Sequence, residues 1–191
     1  MIENLSSKSD LREAQRLRRA VFSRGLPAQA GEQMAAHFMA SIPLTEKDVV
    51  ALYAPMGDEA DCMPLARALG LRVKALCLPV ISETGQLEFR SWTPDDVLVA
   101  GKFGIRIPDA ARSLAVPDVV LLPLLGFDGR GHRLGYGGGY YDRSVESLRR
   151  QKKLLCVGFA YSVQEMALLP EDPHDQRLDW IVTEKEARAF S

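Results

Sequence analysis

Residues 119 to 143 read Val-Val-Leu-Leu-Pro-Leu-Leu-Gly-Phe-Asp-Gly-Arg-Gly-His-Arg-Leu-Gly-Tyr-Gly-Gly-Gly-Tyr-Tyr-Asp-Arg. The stretch begins with four apolar residues, which is typical of a strand buried in a parallel sheet. It runs into a helical pattern, because Tyr141, Val145 and Leu148 recur at helical spacing. Between the two lies a glycine segment, residues 129–139, which holds six of the chain's 15 glycines. The order of strand, glycine segment and helix indicates an α/β fold.

The rest of the chain alternates in the same way. Helical patterns cover residues 8–24, from Pro27 to about residue 40, and near 61–70; short apolar runs predict strands at 49–53, 73–78, 87–92, 154–159 and, as the last strand, 178–182. The first helix is expected to pack through an apolar stripe of Leu11, Ala14, Leu17 and Val21, with Ser7 or Ser9 as its cap.

This alternation predicts a parallel α/β sheet with helices on both faces. Ligands of such sheets bind at the carboxyl ends of the strands. The loops after strands 49–53 and 119–122 are therefore expected to face one crevice.

Composition limits the possible function classes. The chain has 191 residues, predicted as a single domain over 1–191, with 47% hydrophobic and 26% charged residues. A net charge of −1 gives no global field for nucleic acid or an anionic membrane. No apolar run approaches the roughly 18 residues of a membrane span, the N-terminus lacks a signal-peptide pattern, and the three cysteines show no metal spacing. We expect a cytoplasmic monomer with buried reduced thiols and no nucleic-acid or membrane partner.

The glycine segment has the composition of an anion cradle. Glycine lets backbone N–H groups approach a ligand, and Arg130, Arg133 and Arg143 place cations beside them. The segment precedes a helix, whose N-terminus favours phosphate. It matches neither the Walker A pattern nor the dinucleotide-binding glycine spacing. The alternative is a plain connecting turn, which six glycines would make entropically costly.

Several charged residues have both an ordinary and a functional interpretation. Asp142 could compensate the helix dipole or contact Mg²⁺, for which the polar turn Glu171-Asp172-Pro173-His174-Asp175 offers a second carboxylate. Lys8 and Arg12 share a helix face, either as a solvated pair or as phosphate ligands. The pair Asp58-Glu59 could be an ordinary turn. No serine elbow or activated cysteine supports acyl-enzyme chemistry.

The residues also carry a family resemblance. The run from Leu124 to Arg143, and above all Arg133-Leu134-Gly135-Tyr136-Gly137-Gly138-Gly139-Tyr140-Tyr141-Asp142, closely resembles the signature of the 5-formyltetrahydrofolate cyclo-ligase family. The segments 8–12, 53–59 and 173–179 are similar to weaker family motifs. The stretch from about 60 to 115 carries little signature beyond Ser91-Trp92 and Gly101-Lys102-Phe103-Gly104-Ile105.

The resemblance implies a three-layer α/β sandwich with a mostly parallel central sheet, similar to the sugar-phosphate-isomerase and CoA-transferase-like fold. It implies an enzyme that uses ATP and Mg²⁺ to convert 5-formyltetrahydrofolate to 5,10-methenyltetrahydrofolate, with release of ADP and phosphate. Its small-molecule partners would be ATP and the folate. The alternative is a non-catalytic nucleotide or sugar-phosphate sensor on the same fold.

The resemblance also implies site residues. Those implied for ATP are Lys8, Ser9, Asp10, Leu11, Arg12, Arg133, Leu134, Gly135, Tyr136, Gly137, Gly138, Gly139, Tyr140 and Tyr141, with Lys8 and Arg133 as catalytic cations. Those implied for folate are Ala54, Glu59, Tyr136, Gly137, Gly138, Gly139 and Tyr140. Asp142 and Asp175 would hold Mg²⁺. Many relatives have lysine at the position of Gly138. The charge of that lysine is missing here, so the backbone cradle or Lys8, Arg12 and Arg133 must replace it.

Overall fold

The computed structural model describes residues 7–191 and shows four α-helices and thirteen strands in that range. Residues 1–6 lie outside the described part. They include most of the N-terminal segment in which no signal peptide was expected. The helices are α1 (Lys8–Ser23), α2 (Ala30–Ser41), α3 (Met63–Leu69) and α4 (Tyr140–Gln151). The strands are β1 (Val49–Ala51), β2 (Ala75–Ile81), β3 (Leu87–Trp92), β4 (Val99–Ala100), β5 (Arg106–Ile107), β6 (Leu114–Ala115), β7 (Val119–Leu122), β8 (Gly126–Asp128), β9 (Arg133–Leu134), β10 (Leu155–Phe159), β11 (Glu165–Met166), β12 (Trp180–Val182) and β13 (Ala187–Ala189).

The main sheet has eight strands in the order β13-β12-β10-β7-β1-β2-β3-β6. Its five central strands, from β12 to β2, pair in parallel, whereas β13, β3 and β6 add antiparallel edges. Strands β1 and β7 are direct neighbours, with Val50 opposite Val119. The loops that follow them therefore leave the same edge of the sheet side by side, as the sequence predicted.

Two hydrophobic cores lie on opposite faces of this sheet. Because side chains alternate along a strand, Val119 and Leu121 pack on one face with α2 and α3, while Val120 and Leu122 pack on the other with α4. The predicted three-layer sandwich with a mostly parallel sheet is confirmed.

The remaining strands are short and were not predicted. Strands β11, β8 and β9 form a small sheet, and β4 pairs with β5 in a separate hairpin. The strand predicted at 178–182 is present as β12, but the prediction that it is the last strand was wrong. The chain turns back after β12 through a Thr183 N–H bond to the Glu186 carbonyl, and β13 then covers the edge of β12.

The second helix begins later than expected. Pro27 lies in a preceding turn, where its carbonyl accepts from the Ala30 N–H at 3.0 Å, and α2 starts at Ala30. Met34 and Phe38 of this helix are fully buried. Ser7 caps α1 through a capping box with Asp10, in agreement with the sequence.

The predicted inward face of α1 was wrong. Leu17 and Val21 are 65% and 70% exposed, and the buried residues of the helix are Gln15 and Arg19. The helix is rotated because its polar side chains reach bonding partners: the Arg19 guanidinium binds the Asp58 carboxylate and the Tyr136 hydroxyl. The hydrogen bonds of Arg19 determine the buried face, and Leu17 and Val21 of the predicted apolar stripe stay in solvent.

Two smaller expectations concern membranes and thiols. No helix within residues 7–191 is long and apolar enough to cross a membrane. Cys62, Cys77 and Cys156 are buried free thiols, as predicted. Burial raises the pKa of Cys77 to about 12, so this thiol stays protonated and unreactive at neutral pH.

Candidate active site

A cavity of about 1230 Å³ opens at the carboxyl edge of the parallel strands. Its floor is formed where β1 and β7 end, at Tyr53, Ala54 and Pro123. Ligand pockets in proteins are commonly about 300–1,000 Å³, so this cavity has room for two ligands. The sheet topology places it where ligands of open α/β sheets bind.

The glycine loop, residues 135–139, forms one wall. The preceding part of the glycine segment is a β8–β9 hairpin rather than a loop. The loop ends at Gly139, which stands at the N-cap of α4 in the left-handed conformation with φ of 64°. The first intrahelical bond runs from the Arg143 N–H to the Gly139 carbonyl. The N–H groups of the first turn therefore have no acceptor within the helix, as in other anion-binding helix ends.

Two ion pairs lie beside the loop. The Lys8 ammonium is 2.8 Å from the Asp175 carboxylate, and the Arg133 guanidinium is 2.5 Å from Asp142. The Gln176 N–H donates to Asp142 at 3.1 Å, which ties the 172–176 turn to the start of α4. The four predicted cationic and metal residues thus converge on one end of the cavity, from α1, β9, α4 and the loop before β12.

A second polar group lies at the start of the loop, around the side chain of Tyr136. The Tyr136 hydroxyl donates to the Glu59 carboxylate and accepts from the Arg19 guanidinium at 2.6 Å, while Arg19 also binds Asp58 through two nitrogens at 2.9 and 3.1 Å. Glu59 is 7% exposed and also accepts from the Met56 N–H at 2.9 Å. The Asp58-Glu59 pair is therefore more than an ordinary turn, since one carboxylate fixes α1 and the other faces the cavity.

Charge states in this group follow from burial and hydrogen bonding. Burial raises the pKa of Glu59, and the Tyr136 bond opposes the shift without cancelling it. For Asp58, burial acts in the same direction, but the Arg19 guanidinium prevails and the pKa is lowered. Burial also raises the pKa of Tyr136, so the phenol remains a neutral donor. Glu59 is the acceptor whose protonation changes most readily.

The opposite wall of the cavity is largely apolar. It is built from the end of β2 at Val80 and Ile81 and from the hairpin of β4 and β5. In the turn of that hairpin, Phe103 has a φ of 58° and is 74% exposed; its ring centroid lies 6.4 Å from that of Tyr140. An exposed aromatic ring in left-handed backbone suits a contact with a flat ligand better than a core role.

The cavity brings together most of the predicted site residues. Its lining includes Lys8, Arg12, Ala54, Glu59, Arg133, Leu134, Gly135, Tyr136, Gly137, Gly138, Gly139, Tyr140, Tyr141, Asp142 and Asp175. Ser9, Asp10 and Leu11 do not line it. The Asp10 carboxylate belongs to the helix cap and Leu11 packs against a small apolar cluster, so their roles toward ATP stay predictions.

Sequence reasoning missed part of the lining. The missed residues include Arg16, Met56, Val80, Ile81, Lys102, Phe103 and His174. Arg143 was named as a cation of the glycine segment but was assigned to no ligand. Phe103 precedes Gly104 in a sequence motif that was quoted without a role, and this motif was the available signal.

Fold and cavity together place the chain among α/β enzymes whose ligands bind at the carboxyl edge of a parallel sheet. The sequence model of the 5-formyltetrahydrofolate cyclo-ligase family matches residues 4–184. The chain belongs to this family.

Individual relatives agree with this assignment. The chain is 32% identical to the 5-formyltetrahydrofolate cyclo-ligase of Escherichia coli K12, over 88% of this chain and 95% of the relative. It is 31% identical to the Haemophilus influenzae enzyme of the same name, over 77% and 81% of the two chains. The NMR structure of Aquifex aeolicus 5,10-methenyltetrahydrofolate synthetase superposes with a TM-score of 0.79 at 31% identity, covering 95% of this chain and 92% of that one.

Proposed function

We propose that this enzyme cyclises 5-formyltetrahydrofolate to 5,10-methenyltetrahydrofolate with consumption of ATP. The observation that carries the proposal is the shape of the cavity: a cationic glycine loop at one end adjoins an apolar wall with a buried carboxylate. The named activity of the relatives supports the same reaction.

The loop end suits the polyphosphate of ATP. Phosphoryl transfer depends on positioning and on charge stabilisation, and it needs no protein nucleophile. Here the charge comes from Lys8, Arg12 and Arg133, and the oriented dipoles come from the N–H groups that open α4. Lys8 and Arg133 already lie at bonding distance from carboxylates, so the incoming phosphates would compete with Asp175 and Asp142 for them.

The region between Glu59 and the apolar wall suits a pterin. A carboxylate is an acceptor for the N–H edge of such a ring, and Glu59 is held by Tyr136 and the Met56 N–H on the cavity surface. The apolar wall at Val80 and Ile81, with the exposed ring of Phe103, would contact the flat faces of the folate. Ala54 lies three residues after the end of β1 and forms part of the cavity floor.

The family resemblance implies the following reaction, and the juxtaposition of the two binding regions supports it. The formyl oxygen attacks the γ-phosphorus and ADP leaves, which converts a poor electrophile into one that carries a phosphate leaving group. N10 of the same folate then attacks the formyl carbon, loses its proton, and the C–O bond breaks as phosphate departs. Holding the formyl oxygen in line with the γ-phosphate is the entropic part of catalysis, and the adjoining ends of the cavity serve that purpose.

The residues also fit a magnesium ion. Mg²⁺ prefers one or two carboxylates together with phosphate oxygens. Asp142 and Asp175 line the cavity and are linked through the 172–176 turn. Within residues 7–191 no cluster of three or more acidic, histidine or cysteine groups provides a metal cage, so substrate oxygens would have to complete the shell. Bound there, the ion would neutralise developing phosphate charge.

One assay tests the reaction. Formation of methenyltetrahydrofolate is followed by absorbance in the presence of 5-formyltetrahydrofolate and Mg²⁺, with and without ATP, and ADP is measured in parallel. We expect both products in equal amounts and only when both substrates are present. ATP binding without folate-dependent ADP release would instead support a nucleotide sensor.

A further inference from the structure

Two guanidinium groups lie against the glycine loop, one from α1 and one from α4. A Cβ atom at Gly137 would lie 3.3 Å from Cζ of Arg12, which comes from α1, and one at Gly139 would lie 2.7 Å from Nη1 of Arg143, which comes from α4. Real Cβ atoms do not approach a heavy atom to 2.7 Å, and both glycines have positive φ values, 99° and 64°. Glycine at these positions therefore lets two cations lie directly on the loop backbone.

Among residues 7–191, neither of these two cations forms an ion pair with a carboxylate. From residue 7 onward, the hydrogen bonds of Arg12 and Arg143 go to backbone carbonyls, of Gly135 at 2.9 Å and of Gly85 at 3.2 Å. Lys8 and Arg133 differ, because each forms an ion pair with an aspartate. Arg12 and Arg143 consequently present uncompensated charge to the cavity, which both of them line.

Arg143 is held in place although it is exposed. Its Cζ atom lies 5.3 Å from the ring centroid of Tyr140, a cation–π contact, and its bond to the Gly85 carbonyl links α4 to the turn between β2 and β3. The ring of Tyr140 in turn covers Gly138, where a Cβ would lie 2.7 Å from the ring. A guanidinium fixed by stacking retains free N–H groups for a planar, bidentate contact with phosphate oxygens.

We propose that Arg143 binds the polyphosphate of ATP, as the second member of a guanidinium pair with Arg12 across the glycine loop. This inference rests on the proposed function and adds a nucleotide-binding residue to it. Arg143 lies in the first turn of α4, whose N–H groups directly follow the glycine loop, so backbone dipoles and side-chain charge would act on the same phosphates. Arg143 contributes to nucleotide affinity and leaves the folate end of the cavity unaffected.

Steady-state kinetics of Arg143→Met provide the first test. We expect KM for ATP to rise about tenfold, the scale of one lost charge-assisted contact, and KM for the folate to change less than about twofold. Arg143→Lys should recover part of the loss. Arg150→Met is the matched control, since Arg150 lies on the same helix, outside the cavity lining, and is bonded to Glu146. Unchanged KM for ATP, or a rise in the folate KM instead, would overturn the assignment.

Equilibrium binding distinguishes a phosphate contact of Arg143 from a structural role of this residue. ATP and adenosine are titrated into the wild type and Arg143→Met, and the melting temperature of each is recorded. Binding of ATP should weaken about tenfold while adenosine binding stays constant; equal losses for both ligands contradict a phosphate contact. This measurement requires no turnover, so it tests Arg143 even if the wild type fails to form methenyltetrahydrofolate, which would defeat only the proposed reaction.

Discussion

Asp128 and Asp142 belong to the same glycine-rich segment, yet their surroundings differ. Asp128 is fully buried and accepts three backbone N–H bonds, from Arg130, His132 and Leu169, besides the Arg130 guanidinium. Asp142 is half-buried and pairs with Arg133 and one backbone N–H at the cavity wall. The first carboxylate is saturated by the fold, whereas the second keeps acceptor capacity for a ligand. The number of hydrogen bonds that the folded chain already donates to a carboxylate, rather than charge alone, distinguishes a structural acid from one that can bind a ligand.

The largest expected effect comes from removing the charge of the unsaturated acid. Asp142→Asn keeps an oxygen acceptor for Arg133 and the Gln176 N–H but removes the negative charge that a metal would need. We expect turnover to fall by about 10²-fold, the scale of losing one strong electrostatic group in an active site, with thermal stability nearly unchanged. The measurement is methenyltetrahydrofolate formation as a function of Mg²⁺ concentration. Unchanged turnover would remove Asp142 from the site.

The saturated acid should show the reverse behaviour. Asp128→Asn replaces one acceptor oxygen with an NH₂ group among donors that need acceptors, so we expect about 2 kcal/mol lower stability and unchanged kcat per folded molecule. Bonds from Arg130 and the backbone overcome burial and lower the pKa of Asp128. Its contribution is then complete above the unfolded pKa of about 3.9 and is lost as pH falls through the lower folded pKa. Denaturation curves of the wild type and the variant should therefore differ at pH 7 and converge at acid pH.

The smallest effect concerns the cation that pairs with the second predicted metal ligand. Lys8→Ala removes one half-exposed charge, so we expect KM for ATP to rise about fivefold, near the 1 kcal/mol upper range for such a group, with the folate KM little changed. Arg18→Ala, an exposed position on the same helix outside the cavity, is the control. Equal effects of Lys8→Ala on both substrates would argue against a phosphate role.

The comparison of these two acids also illustrates which features of the protein could be predicted from its sequence. Apolar runs such as 119–122 identified the central strands because burial on both faces leaves a continuous hydrophobic pattern. Two-residue strands such as β9 and β11 are too short to carry a period, and they form only because tertiary contacts place them beside β8. The sequence likewise placed Asp142 at a helix start, but it contained no sign that Asp128 was saturated.

The cavity lining was predictable where its residues are contiguous in sequence. The glycine loop and Arg143 form one run whose residue types are typical of a phosphate-binding loop, and Lys8 and Arg12 were placed by resemblance. Phe103 reaches the cavity only through the β4–β5 hairpin, which the sequence did not predict. The rotation of α1 was unpredictable for the same reason, since the partners of Arg19 lie far away in sequence, at Asp58 and Tyr136.

The inverted face of α1 has a consequence for how the protein responds to nucleotide. The middle of this helix is docked by the bonds of Arg19, and apolar contacts are limited to Leu11 near one end and Phe22 near the other. Such an element opens at a lower free energy than the core strands do. Because Lys8 and Arg12 extend from it into the cavity, a ligand bound to them adds its own binding free energy to the docking of α1. With ATP bound to Lys8 and Arg12 as proposed, the amide protons of this helix should exchange more slowly than they do without nucleotide.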